Sequence, residues 1–177
     1  MDATFLWQQF QQGDKNAFNR LFKLHYADLK AYGMKIVNRE SIAKEGIQLL
    51  FVKLWEKRHT LPVVTSIKSY LFRAYRRTLL DLLQAENRRR KTPVPAPTFT
   101  ISAEESLLFQ QYETAQFSQL SFLLSQLPSK QKEIIYLRFY NRLSYLDIAD
   151  ITGLSYQSVR NYGAKAIQFL RSNWKKV

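Results

Sequence analysis

Pro93, Pro95 and Pro97 fall within five residues, in the run Thr92-Pro93-Val94-Pro95-Ala96-Pro97-Thr98. Such spacing cannot continue a helix: each ring removes an amide donor and clashes with the preceding turn, which leaves an extended, polyproline-type strap. On either side the apolar residues recur at helical spacing, glycine is scarce (5 in 177 residues) and β-type alternation is weak. The chain is therefore expected to be all-α, built as two small helical domains, residues 1–91 and 103–177, joined by a flexible Pro-rich linker at 92–102. A chain of this length can supply two modest cores but not a large multi-domain enzyme.

Helix limits follow from local chemistry. After Gly13-Asp14, the stripe Ala17, Leu21, Leu24, Ala27 and Ala31 runs to about Ile36. Ser41 is expected to cap a helix to about Lys57, with Ile47, Leu50, Phe51, Leu54 and Trp55 along one face. A third helix is expected from Ser66 to about Asn87. Its inner arc is Ile67, Leu71, Ala74, Thr78, Leu82 and Ala85, and its outer arc is Ser69, Tyr70, Arg73, Arg76, Arg77, Gln84, Asn87 and Arg88. Ser102-Ala103-Glu104-Glu105 reads as a capping box that restarts helix after the strap. Ser129 is expected to cap a helix to about Tyr140. Ser144 opens a short helix that Gly153 stops, and Ser155 opens the last one.

Charge indicates the kind of partner. Lys and Arg number 27 against 14 Asp and Glu, a formal charge of +13, which suits nucleic acid or an anionic membrane face. The charge is uneven. Residues 68–91 hold 8 basic and 2 acidic side chains, whereas 92–127 hold three Glu and no Lys or Arg. Two basic lobes thus flank an acidic stretch. With 46% hydrophobic residues, the lobes are folded rather than disordered basic tails.

Several function classes fall away. The absence of cysteine excludes disulfides, thiolate metal sites and a Cys nucleophile. His25 and His59 are too few and too far apart to suggest a metal centre, and both read as structural. No paired catalytic carboxylates, phosphate-cradling glycine loop or Ser/His arrangement is evident, so no catalytic residue, cofactor or small-molecule substrate is expected. No signal peptide is evident and no apolar run approaches the ~18 residues of a membrane span. The expectation is a cytoplasmic protein that is not itself in the membrane.

The strongest motif lies at 144–171. Two helices joined by a turn at Gly153, the second opened by Ser155, fit a helix-turn-helix. On the last helix Val159, Tyr162, Gly163, Ala166, Phe169 and Leu170 fall on one arc; Gln157, Arg160, Asn161, Ala164, Gln168 and Arg171 fall on the other, with Lys165 at its edge. Arg can grip guanine, and Asn or Gln adenine, through paired hydrogen bonds in the major groove. Ala164 would let the helix approach the bases closely. Gly163 costs about 1 kcal/mol against Ala within a helix, and its inner position suggests tight helix contact.

Here a resemblance appears. Leu127-Pro128, Gln131-Lys132-Glu133-Ile134-Ile135-Tyr136-Leu137-Arg138, Leu143-Ser144-Tyr145-Leu146-Asp147-Ile148-Ala149, Gly153-Leu154-Ser155 and Ser158-Val159-Arg160 resemble region 4 of bacterial extracytoplasmic-function sigma factors. The resemblance implies binding to the −35 promoter element and contact with the polymerase β flap. By position, Arg160, Asn161, Ala164 and Lys165 would face the bases, with Gln157 and Ser158 nearer the phosphates. In the N-terminal lobe, Gly13-Asp14-Lys15-Asn16-Ala17-Phe18 resembles the family's opening helix. Ala43 to Trp55 resembles region 2.2, which docks on the β′ clamp helices and would do so here through Glu45, Gln48, Leu49 and Val52. Ser69-Tyr70-Leu71-Phe72-Arg73 with Arg76-Arg77 resembles regions 2.3–2.4, which melt and read the −10 element, so Ser69, Tyr70, Arg73, Arg76 and Arg77 would meet that strand.

This sequence also departs from the pattern. Where members commonly show Asp…Gln-Glu in region 2.2, it carries Glu45, Gln48 and Leu49. The usual Asn after the Arg of region 2.3–2.4 is Arg77, and the usual small Ala is Tyr75. In the family the loop at 59–66 cradles a flipped −10 base, and the linker crosses the polymerase cleft, where it can mimic RNA. The implied partners are core RNA polymerase, promoter DNA and an anti-sigma factor.

The residues alone leave other readings open. Arg160, Asn161 and Lys165 would also suit the solvated face of a core helix, and a helix-turn-helix also occurs in response regulators, recombinases and many repressors. The rival readings are a stand-alone helix-turn-helix transcription regulator, a DNA recombinase or nuclease, and a general nucleic-acid-binding or architectural protein. Arg88-Arg89-Arg90-Lys91 suits a helix end that complements its dipole as well as phosphate contact. Phe51 and Trp55 read as core rather than polymerase contact.

Overall fold

The computed structural model describes residues 3–90, 98–100 and 115–174. The described residues are helical with no strand, as the spacing predicts, and the chain divides into two compact units, Met1–Pro97 and Thr98–Val177. The capping box at 102–105 and most of the 92–102 strap lie outside the described residues.

The first unit packs α1 (Ala3–Gln11), α2 (Lys15–Val37), α3 (Glu40–Lys57) and α4 (Ile67–Arg90), with a 3-10 turn at Arg58–Thr60. Helix α1 is the element the sequence reading omits. It buries Leu6, Trp7 and Phe10 on one face. Asp14 caps α2 by accepting from the Asn16 and Ala17 amides at 2.7 and 3.3 Å. Asn38 ends α2 in the left-handed region (φ 47°), its N–H donating to the Met34 carbonyl.

Helix α3 begins at Glu40 with Arg39 as its extended N-cap, so Ser41 is not the cap. Two interactions decide this start. The Arg39 guanidinium forks onto both carboxylate oxygens of Glu86 in α4, and Glu40 bridges Lys30 and Lys44 at 2.7 and 2.9 Å. Those two ammonium groups hold the Glu40 carboxyl down at about 2.

The α4 face also differs from the expected one. Its buried residues are Ile67, Ser69, Leu71, Phe72, Tyr75, Thr78, Leu79 and Leu83, while Ala74, Leu82 and Ala85 are only half-buried. The reason is that α1, α2 and α3 all contact α4, so a wide arc is covered and the bulky side chains set its centre. Tyr75 lies fully buried at that centre. Its hydroxyl donates to the Ala43 carbonyl at 2.8 Å, and burial pushes its pKa up. The ring packs between two glycines: a Cβ on Gly33 would sit 2.8 Å from Tyr75 Cζ, and one on Gly46 3.1 Å from Tyr75 Cε2 and 2.7 Å from Leu79 Cδ2. Gly46, itself buried, thus gives α3 a close approach to α4.

Lys35 is 5% exposed, and burial lowers its ammonium pKa from 10.5 to about 8. Between those values the unfolded chain binds more protons than the folded one, so stability rises with pH across that window. Lys35→Met should abolish this rise, as read by urea midpoints on either side of the window.

The second unit contains α5 (Ala115–Gln126), α6 (Ser129–Ile135), a π-helical turn (Tyr136–Tyr140), α7 (Tyr145–Thr152) and α8 (Tyr156–Asn173). Its core includes Leu123, Leu127, Ile134, Leu137, Leu143, Ile148, Ile151, Val159 and Ala166. Pro128, not Ser129, is the N-cap of α6. The Ser129 hydroxyl instead accepts the Phe99 amide at 2.8 Å, and the buried Phe99 ring sits 5.5 Å from Tyr136. The helix expected to reach Tyr140 widens over its last five residues, where the Asn141 N–H reaches the Tyr136 carbonyl.

Candidate nucleic-acid interface

Capping chemistry fixes the helix-turn-helix. Ser144 Oγ accepts the Asp147 amide at 3.1 Å while the Asp147 carboxylate accepts the Ser144 amide at 3.1 Å, a closed capping box. Gly153 stops α7 at φ 72°, a conformation that disfavours side-chain-bearing residues. Ser155 caps α8 through the Ser158 amide. Behind α8, a Cβ on Gly163 would lie 3.3 Å from the Tyr145 ring, so this glycine lets α8 seat against the start of α7.

The outer face of α8 is basic and polar, and the helix carries no acidic residue. Gln157, Arg160, Asn161, Ala164, Lys165, Gln168 and Arg171 are exposed; Ser158 is half-buried, and its hydroxyl accepts from Ser155. Tyr145, Gln157, Arg160, Asn161, Ala164 and Arg171 help to line a shallow depression of about 540 Å³. Within it Gln157 Nε2 donates to Asn161 Oδ1 at 3.0 Å, and the Arg160 guanidinium lies 5.9 Å from the Tyr156 ring. Exposed amide and guanidinium forks beside a small alanine are the groups that can read base edges.

On the first unit, Arg73 and Arg77 are exposed on α4, while Tyr70 and Arg76 are half-buried. Arg73 lies 5.8 Å from the Tyr70 ring. Ser69 does not join this surface: it is 8% exposed, inside the arc widened by three-sided packing. An aromatic ring with guanidinium groups around it suits unpaired bases, since stacking tolerates any base and the cations meet the phosphates.

The α3 residues Glu45, Gln48 and Val52 are exposed and Leu49 is half-buried, at the i, i+3, i+4, i+7 spacing of one helix face. Beside them Phe18, Phe22, Phe51, Val52 and Trp55 help to line an apolar groove of about 590 Å³. Phe51 is core, as expected, but Trp55 is only half-buried, with the Arg58 guanidinium 4.5 Å from its ring.

His25 is half-buried, and burial chiefly lowers its pKa; His59 is exposed. Among the described residues no group of three or more His, Asp or Glu is placed to hold a metal ion, and no helix is long and apolar enough to cross a membrane.

Residues 21–89 match Sigma-70 region 2, and residues 117–170 match Sigma-70 region 4. The chain belongs to the sigma-70 family, in the extracytoplasmic-function group. Its similarity to known sigma factors runs through both units. It is 26% identical to the ECF RNA polymerase sigma factor RpoE of Cereibacter sphaeroides, over 90% of this chain and 87% of the relative. It is likewise 26% identical to the RNA polymerase sigma factor SigZ of Bacillus subtilis, over 91% and 80%. The fold is similar to that of the sigma factor RpoE solved with the anti-sigma factor NepR from Bartonella quintana, with a TM-score of 0.62 and 19% identity over 88% of this chain and 95% of that one. It is similar to CnrH, solved with the cytosolic domain of CnrY, with a TM-score of 0.62 and 20% identity over 96% and 94%.

Proposed function

We propose that this sigma factor is a dissociable promoter-specificity subunit of RNA polymerase. It binds the core enzyme, recognises −10 and −35 elements and starts transcription. The observation that carries this reading is the presence of both sigma regions in one chain, each with a cationic outward face. The α3 face with exposed Glu45, Gln48 and Val52 and half-buried Leu49 meets the β′ clamp helices. Tyr70, Arg73, Arg76 and Arg77 meet the opened −10 strand, and the second unit meets the β flap. Arg160, Asn161, Ala164 and Lys165 read −35 bases, while Gln157 and Ser158 lie nearer the phosphates. The assigned regions are 1–91 and 103–177, with 92–102 and its surroundings crossing the polymerase cleft. The work is done by binding energy without a catalytic residue, in the cytoplasm. An anti-sigma factor is the expected antagonist, in line with the sigma factor RpoE solved with the anti-sigma factor NepR.

Transcription in vitro with core polymerase on a genomic promoter library tests the reading. Transcripts that require the added protein are expected. If none requires it, and the isolated protein binds duplex sites tightly by itself, a stand-alone helix-turn-helix regulator takes its place.

A further inference from the structure

Helix α1 does more than close the first core. Two of its side chains end on the loop that leads into α4. Gln11 Nε2 donates to the Leu61 carbonyl at 2.7 Å, and Trp7 Nε1 donates to the Pro62 carbonyl at 3.2 Å. Trp7 is 2% exposed, and its ring meets Tyr70 edge-on, with centroids 5.4 Å apart. One indole therefore touches both the loop and the aromatic residue on the cationic α4 face. At the other end of the loop, Ser66 Oγ accepts the Ser69 amide at 3.2 Å. The backbone is held at 61–62 by α1 and at 66 by the start of α4, leaving Val63, Val64 and Thr65 as a short span between anchors. Val63 in that span is 82% exposed, an apolar side chain held out in water.

We propose that Gln11 and Trp7 are positioning residues for −10 recognition: they fix the Val63–Thr65 span relative to Tyr70, so that one unpaired base of the promoter strand meets a preformed apolar and aromatic surface. The inference rests on the sigma reading above and adds to it a role for a helix outside the matched residues 21–89. Its physical basis is preorganisation. A loop already held in its bound shape spends less binding energy on ordering when the base arrives.

The test uses full-length protein reconstituted with core polymerase, on templates carrying each single-base change in the −10 element. Gln11→Glu keeps the side-chain length but removes the donor; Gln11→Arg keeps a donor. Trp7→Phe keeps an aromatic ring but removes the indole N–H. Gln11→Glu and Trp7→Phe are expected to lower discrimination at one −10 position by about three- to tenfold, the worth of one neutral hydrogen bond. Polymerase affinity and −35 discrimination should hold, and Gln11→Arg, which keeps a donor, should keep the wild-type preference. The proposal is overturned if both donor-lacking variants discriminate like the wild type. It is equally overturned if the loss spreads evenly over all −10 positions and polymerase affinity, which would mark α1 as a general stabiliser. If the wild type itself shows no polymerase-dependent −10 preference, the sigma reading fails along with it, so the two failures are distinguishable.

Discussion

Gly33→Ala should destabilise the first unit by about 3 kcal/mol, the upper end of what overpacking a core costs. Two effects compete. Alanine is favoured over glycine inside a helix by about 1 kcal/mol, so an exposed glycine would gain from the change. At Gly33 the new methyl meets the fully buried Tyr75 ring, with Cζ 2.8 Å and Cε1 3.0 Å away. The ring cannot retreat easily, because its hydroxyl is bonded to Ala43 and its other side faces Gly46. Steric exclusion wins. The check is a urea titration followed by tryptophan fluorescence, since Trp7 and Trp55 both lie in this unit. In a Tyr75→Ala background the sign should reverse: the ring is gone, and Gly33→Ala becomes neutral or stabilising. Equal effects in the two backgrounds would show that ring and glycine are not coupled.

Arg160→Ala should cost about 1–3 kcal/mol of −35 discrimination while leaving binding to scrambled duplexes far less affected. The guanidinium is exposed on a helix without acidic residues, so no intrahelical carboxylate competes with a guanine for its fork. Competition among duplexes carrying single −35 substitutions, read with the holoenzyme, measures the change position by position. A uniform loss at every sequence would mean that Arg160 grips phosphate only. The salt dependence of binding gives an independent reading, because loss of a phosphate contact flattens the slope by about one.

How far the fold could be read from the residues depended on how local each determinant is. The Ser144–Asp147 box, the Gly153 stop and the Ser155 cap act within four residues of chain, and they were legible. The start of α3 was misplaced because Arg39 is held by Glu86, 47 residues away. Ser129 reads as a cap because nothing nearby discloses that Phe99 claims its hydroxyl. Helix α1 carried a readable sign, the Leu6-Trp7 and Phe10 stripe, but it is short and lies outside the stretches that carry the family resemblance.

The same contrast applies to the candidate interface. Helix α8 has a simple division between a buried stripe and an exposed face, so a helical wheel places Arg160, Asn161, Ala164 and Lys165 outward. Helix α4 is packed by three neighbours, and a two-arc wheel set Ser69 on the wrong side. Trp7 and Gln11 were missed as loop holders because their partners, Pro62 and Leu61, are main-chain carbonyls. Any residue could supply those, so side-chain identity gives no warning.

The π-helical turn at Tyr136–Tyr140 has a bearing on how this protein can change over generations. A ring closed one residue wider takes up a single extra codon locally, where an ordinary helix would rotate everything downstream by about 100°. Losing that codon would restore the narrower ring and leave Leu143 and the capping box where they sit.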